Sequence, residues 1–164
     1  MSIHYSPIGV IHTPFTDLAG MPIQPTGAAG VQGRIELEPA YLDGLQDLDG
    51  FSHVVLIYHL HRAEKPRMVV TPFLDTKPRG LFATRAPTRP NPIGLSVVRL
   101  LAIEDNVLRI ENVDMLDGTP LLDIKPNIPD IEPKDVERIG WFAGAKGKAK
   151  DATSDDRFED DTSD

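Results

Sequence analysis

Val31-Gln32-Gly33-Arg34-Ile35-Glu36-Leu37-Glu38 alternates apolar or small residues with polar ones at every step. A period of two marks a strand with one face buried and the other in water. Working outward, Ser52-His53-Val54-Val55-Leu56-Ile57-Tyr58-His59-Leu60-His61 reads as a second strand, buried on both faces in its middle. Residues 95–104 and 107–112 flank Asp105-Asn106, a tight hairpin turn. Residues 121–125 make another short strand after the turn Asp117-Gly118-Thr119-Pro120. No segment carries a sustained apolar stripe of helical period. Two short helices are predicted, over residues 40–48 after Pro39 and over residues 133–139, where Pro133 suits a first turn. Residues 62–80, with Pro66, Pro72 and Pro78, read as a long loop, and loops of that length in small domains tend to be functional. About six short strands separated by turn signals predict a mainly β fold, an antiparallel barrel or sandwich with long loops.

The chain has 164 residues, enough for one domain with a real core. Its longest apolar run, residues 54–58, is far below the roughly 20 residues of a membrane span. No basic stretch followed by an apolar one opens the chain, so a cytoplasmic location is expected. Cysteine is absent, which excludes disulfides, thiolate metal sites and a cysteine nucleophile together. The net charge of −8 is unevenly placed: residues 151–164 carry seven acids against Arg157, and the rest of the chain is close to neutral. We expect a β domain over residues 1–145 and a charged, disordered tail over residues 146–164, because acidic chain without apolar periodicity cannot offset its ordering entropy.

Three stretches carry chemistry. Thr84-Arg85-Ala86-Pro87-Thr88-Arg89-Pro90-Asn91-Pro92-Ile93-Gly94 holds three prolines that fix φ and remove backbone donors. It is a stiff extended loop, and its two guanidiniums suit phosphate, carboxylate or a base face. A Pro-rich connector with solvated arginines is the plainer reading. The second stretch is Asp114-Met115-Leu116-Asp117-Gly118-Thr119-Pro120-Leu121-Leu122-Asp123-Ile124-Lys125-Pro126. Asp123 lies in an apolar strand and needs a partner. Either Lys125, on the same strand face, supplies it, or Asp123 faces a cationic or amino-bearing ligand. The third is the His59-x-His61 pair, which with His53 shares a strand face. His-x-His opens many metal sites, but further ligands at suitable spacing are missing, so a polar cleft without metal is preferred. There is no G-x-G-x-x-G turn, Walker-type phosphate loop or G-x-S-x-G elbow.

Together these segments resemble the TsaA-like family, also called TrmO or YaeB, of tRNA adenosine N6-methyltransferases. The resemblance rests on Phe82-Ala83-Thr84-Arg85-Ala86-Pro87-Thr88-Arg89-Pro90-Asn91-Pro92-Ile93-Gly94-Leu95-Ser96 and on Asp117-Gly118-Thr119-Pro120-Leu121-Leu122-Asp123-Ile124-Lys125-Pro126. Weaker agreement lies in residues 8–14, 22–25 and 48–53, so it spans about residues 3–130. It implies a compact antiparallel β-barrel rather than a Rossmann sheet, working as a homodimer with S-adenosylmethionine bound near the subunit interface. The implied reaction methylates N6 of threonylcarbamoyladenosine beside the anticodon of a threonine tRNA. Carried over by motif, the cofactor contacts are Pro22, Ile23, Gln24, His61, Arg62, Arg89, Leu100, Leu121, Leu122, Asp123 and Ile124. Two features depart from the family pattern. Asn127 stands where many relatives carry tyrosine, and the better-known bacterial members continue into a further C-terminal domain.

Asp117, Asp123 and Lys125 are the candidate catalytic groups: the aspartates to take a proton, Lys125 to stabilise charge on a carbamoyl oxygen. Lys77, Arg79, Arg85 and Asn91 are the candidate tRNA contacts. Two rival readings are a cupin-like metal enzyme using His59 and His61, and a module that binds S-adenosylmethionine or RNA without catalysis.

Overall fold

The computed structural model describes residues 1–23 and 25–159. Six strands, β1 (Gly9–His12), β2 (Gln32–Leu37), β3 (His53–His59), β6 (Ile93–Glu104), β7 (Val107–Glu111) and β8 (Thr119–Pro126), close into a barrel; β4 (Val69–Val70) and β5 (Arg79–Gly80) pair separately within the long connection between β3 and β6. The barrel order is β1-β2-β7-β6-β3-β8, every adjacent pair is antiparallel, and β8 returns to β1. Closure gives every strand of the barrel a neighbour on both sides.

The period-two alternation becomes an inside and an outside. Ile11, Ile35, Leu37, Val54, Leu56, Val98, Leu108, Ile110 and Leu121 fill the interior. Burying each such side chain contributes about 1.5–3 kcal/mol relative to exposure. On β3 only Val54, Leu56 and Tyr58 are buried, while Val55 and Ile57 are half-buried. The expectation of two buried faces is corrected here: the outward side chains of a one-layer barrel are covered only in part. Strand β6 is long enough to bend, pairing with β3 through residues 93–99 and with β7 through residues 99–104, with an irregularity between Leu100 and Ala102. A second irregularity sets Leu122 out of register between the Tyr58–Leu121 and Ile57–Asp123 pairs.

Among the described residues the helical elements are all short 3-10 turns. The first predicted helix is such a turn over Pro39–Leu45, without a buried residue. The second does not form: residues 133–139 lack regular structure and are all exposed. With no apolar face buried, neither segment receives the packing that short helices need. No described helix is long and apolar enough to cross a membrane.

The acidic composition of residues 146–164 suggests disorder, yet residues 151–159 lie against the body. Ser154 donates its backbone N–H to the Met21 carbonyl and accepts from the amide of Met21 at its hydroxyl. Phe158 meets Phe73 edge-on at 5.0 Å between centroids and joins a small core with Val70, Leu81 and Ala86. Arg157 adds a hydrogen bond to the Pro72 carbonyl and lies over the Phe73 ring, so an otherwise acidic segment docks through one aromatic side chain, one guanidinium and the Ser154 contacts. Residues 160–164 lie outside the described residues.

Antiparallel alternation sorts the connections. Segments 13–31, 60–92 and 112–118 join β1 to β2, β3 to β6 and β7 to β8 at one end, which we call the mouth. The opposite end holds the 105–106 turn and segment 38–52.

Candidate active site at the barrel mouth

The proline-studded loop is stapled from within. Thr84 accepts the Ala86 amide at its hydroxyl, and one Arg89 guanidinium nitrogen donates to the carbonyls of Thr84 (3.1 Å) and Ala86 (3.2 Å). The Phe82 ring lies 5.9 Å from the Arg89 guanidinium. Leu60 N–H donates to the Pro92 carbonyl and Arg67 N–H to that of Thr88, tying the loop to the chain leaving β3. Among the described residues, Arg62, Lys77, Arg85 and Arg89 have no carboxylate within ion-pair distance. Their charges are open to an anion from outside. Arg79 is not comparable: its Nε sits 2.7 Å from Asp75 and its guanidinium lies over Trp141.

Gly94 and Ser96 explain the end of the first string. Across the β3–β6 pair Gly94 lies opposite Tyr58 and Ser96 opposite Leu56, and a Cβ at Gly94 would stand 2.2 Å from the Tyr58 ring. Only glycine leaves room for that ring. The Tyr58 hydroxyl is 2.9 Å from the Ser96 hydroxyl, which donates to Asp114 Oδ1 at 2.7 Å. Tyr58 and Ser96 are buried, and Asp114 is half-buried on the 112–118 loop at the mouth. Burial pushes the Asp114 carboxyl up to about 6, against the opposing pull of the Ser96 hydrogen bond and the Arg85 charge. Burial, then the Asp114 charge, raises the Tyr58 phenol above its ordinary value, so it remains protonated. Sequence reasoning passed over this trio. The available signal was a small and a polar residue, Gly94 and Ser96, interrupting an apolar inward row.

Asp117, three residues on, has a different task. Its Oδ1 accepts the Thr13 amide (3.0 Å) and lies 3.3 Å from His12, locking the β1–β2 connection onto the turn at Gly118, whose φ is 77°. The Thr13 hydrogen bond, partly opposed by desolvation and aided by His12, holds this carboxyl below its usual range. A carboxylate so held is a poor proton acceptor at neutral pH. Asp123 and Lys125 pair with each other at 2.8 Å on the outer wall, both well exposed. Asp123 flanks Ile57 across the sheet, and Leu95 flanks it on the other side.

The carried-over cofactor residues divide. Pro22 pairs with Thr153 through an isolated bridge, Ile23 is half-buried in the same connection, and Gln24 lies outside the described residues. His61 and Arg62 follow β3 at the mouth; burial first, then the neighbouring charges of Arg62 and His59, lowers the His61 imidazole. Leu121 is buried beside Tyr58, Leu122 is at the irregularity, and Ile124 packs on the core. Leu100 stands apart, its amide bonded to Ser52 at the far end of β3. Asn91 is exposed on the arginine loop. Among the described residues no three His, Asp or Glu side chains converge as a metal site would require.

Residues 10–133 match the family described as tRNA-methyltransferase O N-terminal domain. The chain belongs to the TrmO family. A Pyrococcus abyssi relative, described as a probable S-adenosyl-L-methionine-binding protein, is 48% identical over 158 residues, covering 96% of this chain and 86% of the relative. The Escherichia coli K12 tRNA (adenine(37)-N6)-methyltransferase is 34% identical over 141 residues, covering 80% of this chain and 60% of that enzyme. The crystal structure of TrmO from Pseudomonas aeruginosa aligns with a TM-score of 0.72 at 38% identity, covering 86% of this chain and 63% of that one. This TrmO chain therefore spans less than two thirds of the E. coli and P. aeruginosa proteins, and its barrel is the part it shares with them.

Proposed function

We propose that this protein is an S-adenosylmethionine-dependent methyltransferase acting on N6 of adenosine 37 of a tRNA, with the threonylcarbamoyl-modified nucleoside as substrate. The observation that carries the reading is the mouth itself. A loop that lies wholly within the family match presents Arg85 and Arg89 without carboxylate partners, at the end of the barrel where β8 begins. That donor set fits the cofactor: a guanidinium without a carboxylate partner, held by two carbonyls, suits the methionine carboxylate. The buried Thr88 hydroxyl, next to Arg89, has no partner of its own, and it fits a site completed by a polar ligand.

Pro22, Ile23, Gln24, His61, Arg62, Arg89 and residues 121–124 would hold the cofactor. When bound, S-adenosylmethionine supplies an electrophilic methyl group. The chain's own work is to orient the acceptor nitrogen, exclude water, and take the proton that N6 loses. Arg85, with Lys77 and Asn91, grips the anticodon-loop backbone; Arg79 contributes less because Asp75 already neutralises it.

The working form is a cytoplasmic homodimer. Ile93, Leu95 and Val97 stand exposed in succession on the outer wall of β6, beside Ile57 and Val55 of β3. A contiguous apolar strip on a sheet face next to the site suits a self-association surface.

Incubating the protein with methyl-labelled S-adenosylmethionine and total tRNA from cells that lack it, then mapping the labelled nucleoside, tests the reading. Label on N6 of a threonylcarbamoyladenosine is expected. Cofactor binding without transfer to any tRNA would instead identify a binding module.

A further inference from the structure

Resting on the methyltransferase reading, we propose that Asp114 takes the N6 proton during methyl transfer, with Ser96 and Tyr58 as its positioning residues. Asp114, half-buried on the 112–118 loop at the mouth, is joined to the barrel interior. Its Oδ1 receives the Ser96 hydroxyl at 2.7 Å, and Ser96 is in turn fixed by the Tyr58 hydroxyl at 2.9 Å. Gly94 seats the Tyr58 ring, so part of the family string serves to aim this one carboxylate.

Three other aspartates near this end are engaged in ways that make them poorer acceptors. Asp75 is bound to Arg79, Asp117 to the Thr13 amide and His12, and Asp123 to Lys125. The titratable and charged groups facing Asp114 are Tyr58 from β3 and Arg85 from the proline-studded loop. Tyr58 stays protonated throughout the neutral range, so it orients through its hydroxyl and does not compete for the proton. A carboxyl pushed up to about 6 remains ionised at pH 7 and is a far better acceptor than an ordinary aspartate. Arg85 has a second use here, because a cation beside Asp114 opposes the effect of burial and keeps the carboxylate charged.

The step balances. The N6–H bond breaks and its proton goes to the free side of the Asp114 carboxylate. Nitrogen's electron pair forms the new bond to the methyl carbon, and the carbon–sulfur bond breaks with its pair remaining on sulfur. The products are the N6-methylated nucleoside, a neutral thioether and a protonated Asp114, which then releases its proton to water.

The test pairs two measurements on the same protein. Carbon-13 NMR of aspartate-labelled, cofactor-free protein gives the Asp114 carboxyl titration, and single-turnover methylation gives the pH–rate profile. The expected profile has an acidic limb at the NMR midpoint near 6. In Ser96→Ala both should move upward together, because the lost hydrogen bond stabilised the charged form. Asp114→Asn should lower the single-turnover rate by about 10²-fold or more while leaving S-adenosylmethionine affinity within about threefold. A limb that ignores the NMR midpoint, or one that vanishes in His61→Gln and is unmoved by Ser96→Ala, overturns the assignment while leaving the methyltransferase reading intact. Failure to methylate any tRNA overturns both.

Discussion

The two ends of the barrel are made from the same six strands and share almost nothing else. At one end, β6 turns into β7 through two residues, Asp105 at φ 53° and Asn106, and the neighbouring exposed pair Arg109–Glu104 is separated by 3.8 Å. At the mouth, the three connections carry four cations without carboxylate partners among the described residues and two aspartates with opposite shifts, one of them joined to a buried tyrosine through Ser96. The wall supplies stability at both ends, and the mouth adds a half-buried carboxyl and cations without carboxylate partners, arrangements that cost stability. Such costs concentrate where a protein binds or reacts.

The sharpest way to break this contrast is Arg89→Ala set against Arg109→Ala. Calorimetry should show the first weakening S-adenosylmethionine binding by about 30- to 100-fold, the loss of a charge-assisted pair, and the second changing it less than twofold. Equal effects would erase the distinction between the ends. Next in size is Gly94→Ala. Its Cβ must displace the Tyr58 ring, so thermal or denaturant unfolding should report a loss of about 2–3 kcal/mol. Gly80→Ala, where a Cβ meets nothing within 4 Å, serves as its neutral counterpart. Arg85→Ala should weaken tRNA binding about tenfold at low salt and flatten its salt dependence, as loss of a phosphate contact does.

The smallest effects separate the two aspartates by sign. Asp114 is raised, so its ionisation opposes folding: its favourable share is present below pH 4 and is lost as pH rises through about 6. Asp114→Asn should therefore gain in melting temperature relative to wild type between pH 4 and pH 7. Asp117 is lowered, so its contribution is present at neutral pH and is lost as pH falls through its depressed value. Asp117→Asn should cost under about 1 kcal/mol at pH 7, a modest value because that side chain is largely solvated, and the difference should fade under acid. Parallel pH trends for the two variants would contradict the opposite environments assigned to them.

The wall was legible in the sequence because its code is local. Alternation over residues 31–38, the Asp105-Asn106 turn and the strand after Asp117-Gly118 each needed only neighbouring residues. Strand β1 went unmarked because Gly9-Val10-Ile11-His12 is too short to show a period. The helix expected over residues 133–139 failed because propensity without a buried face is not enough. The Asp123–Lys125 pair was one of two alternatives that strand spacing left open. What the sequence hid was the Tyr58–Ser96–Asp114 contact, because it joins residues 18 and 38 positions apart through a barrel closure that no local pattern encodes. The docking of residues 151–159 was hidden for the same reason.

The account stands most directly on where the cofactor lands. Amide chemical-shift mapping with S-adenosylmethionine should perturb Ile23, His61 and Arg89 at the mouth together with residues 121–124 of β8, and leave Asp105, Asn106 and Arg109 unmoved. Perturbation centred on the 105–106 turn, or none along the arginine loop, would contradict it.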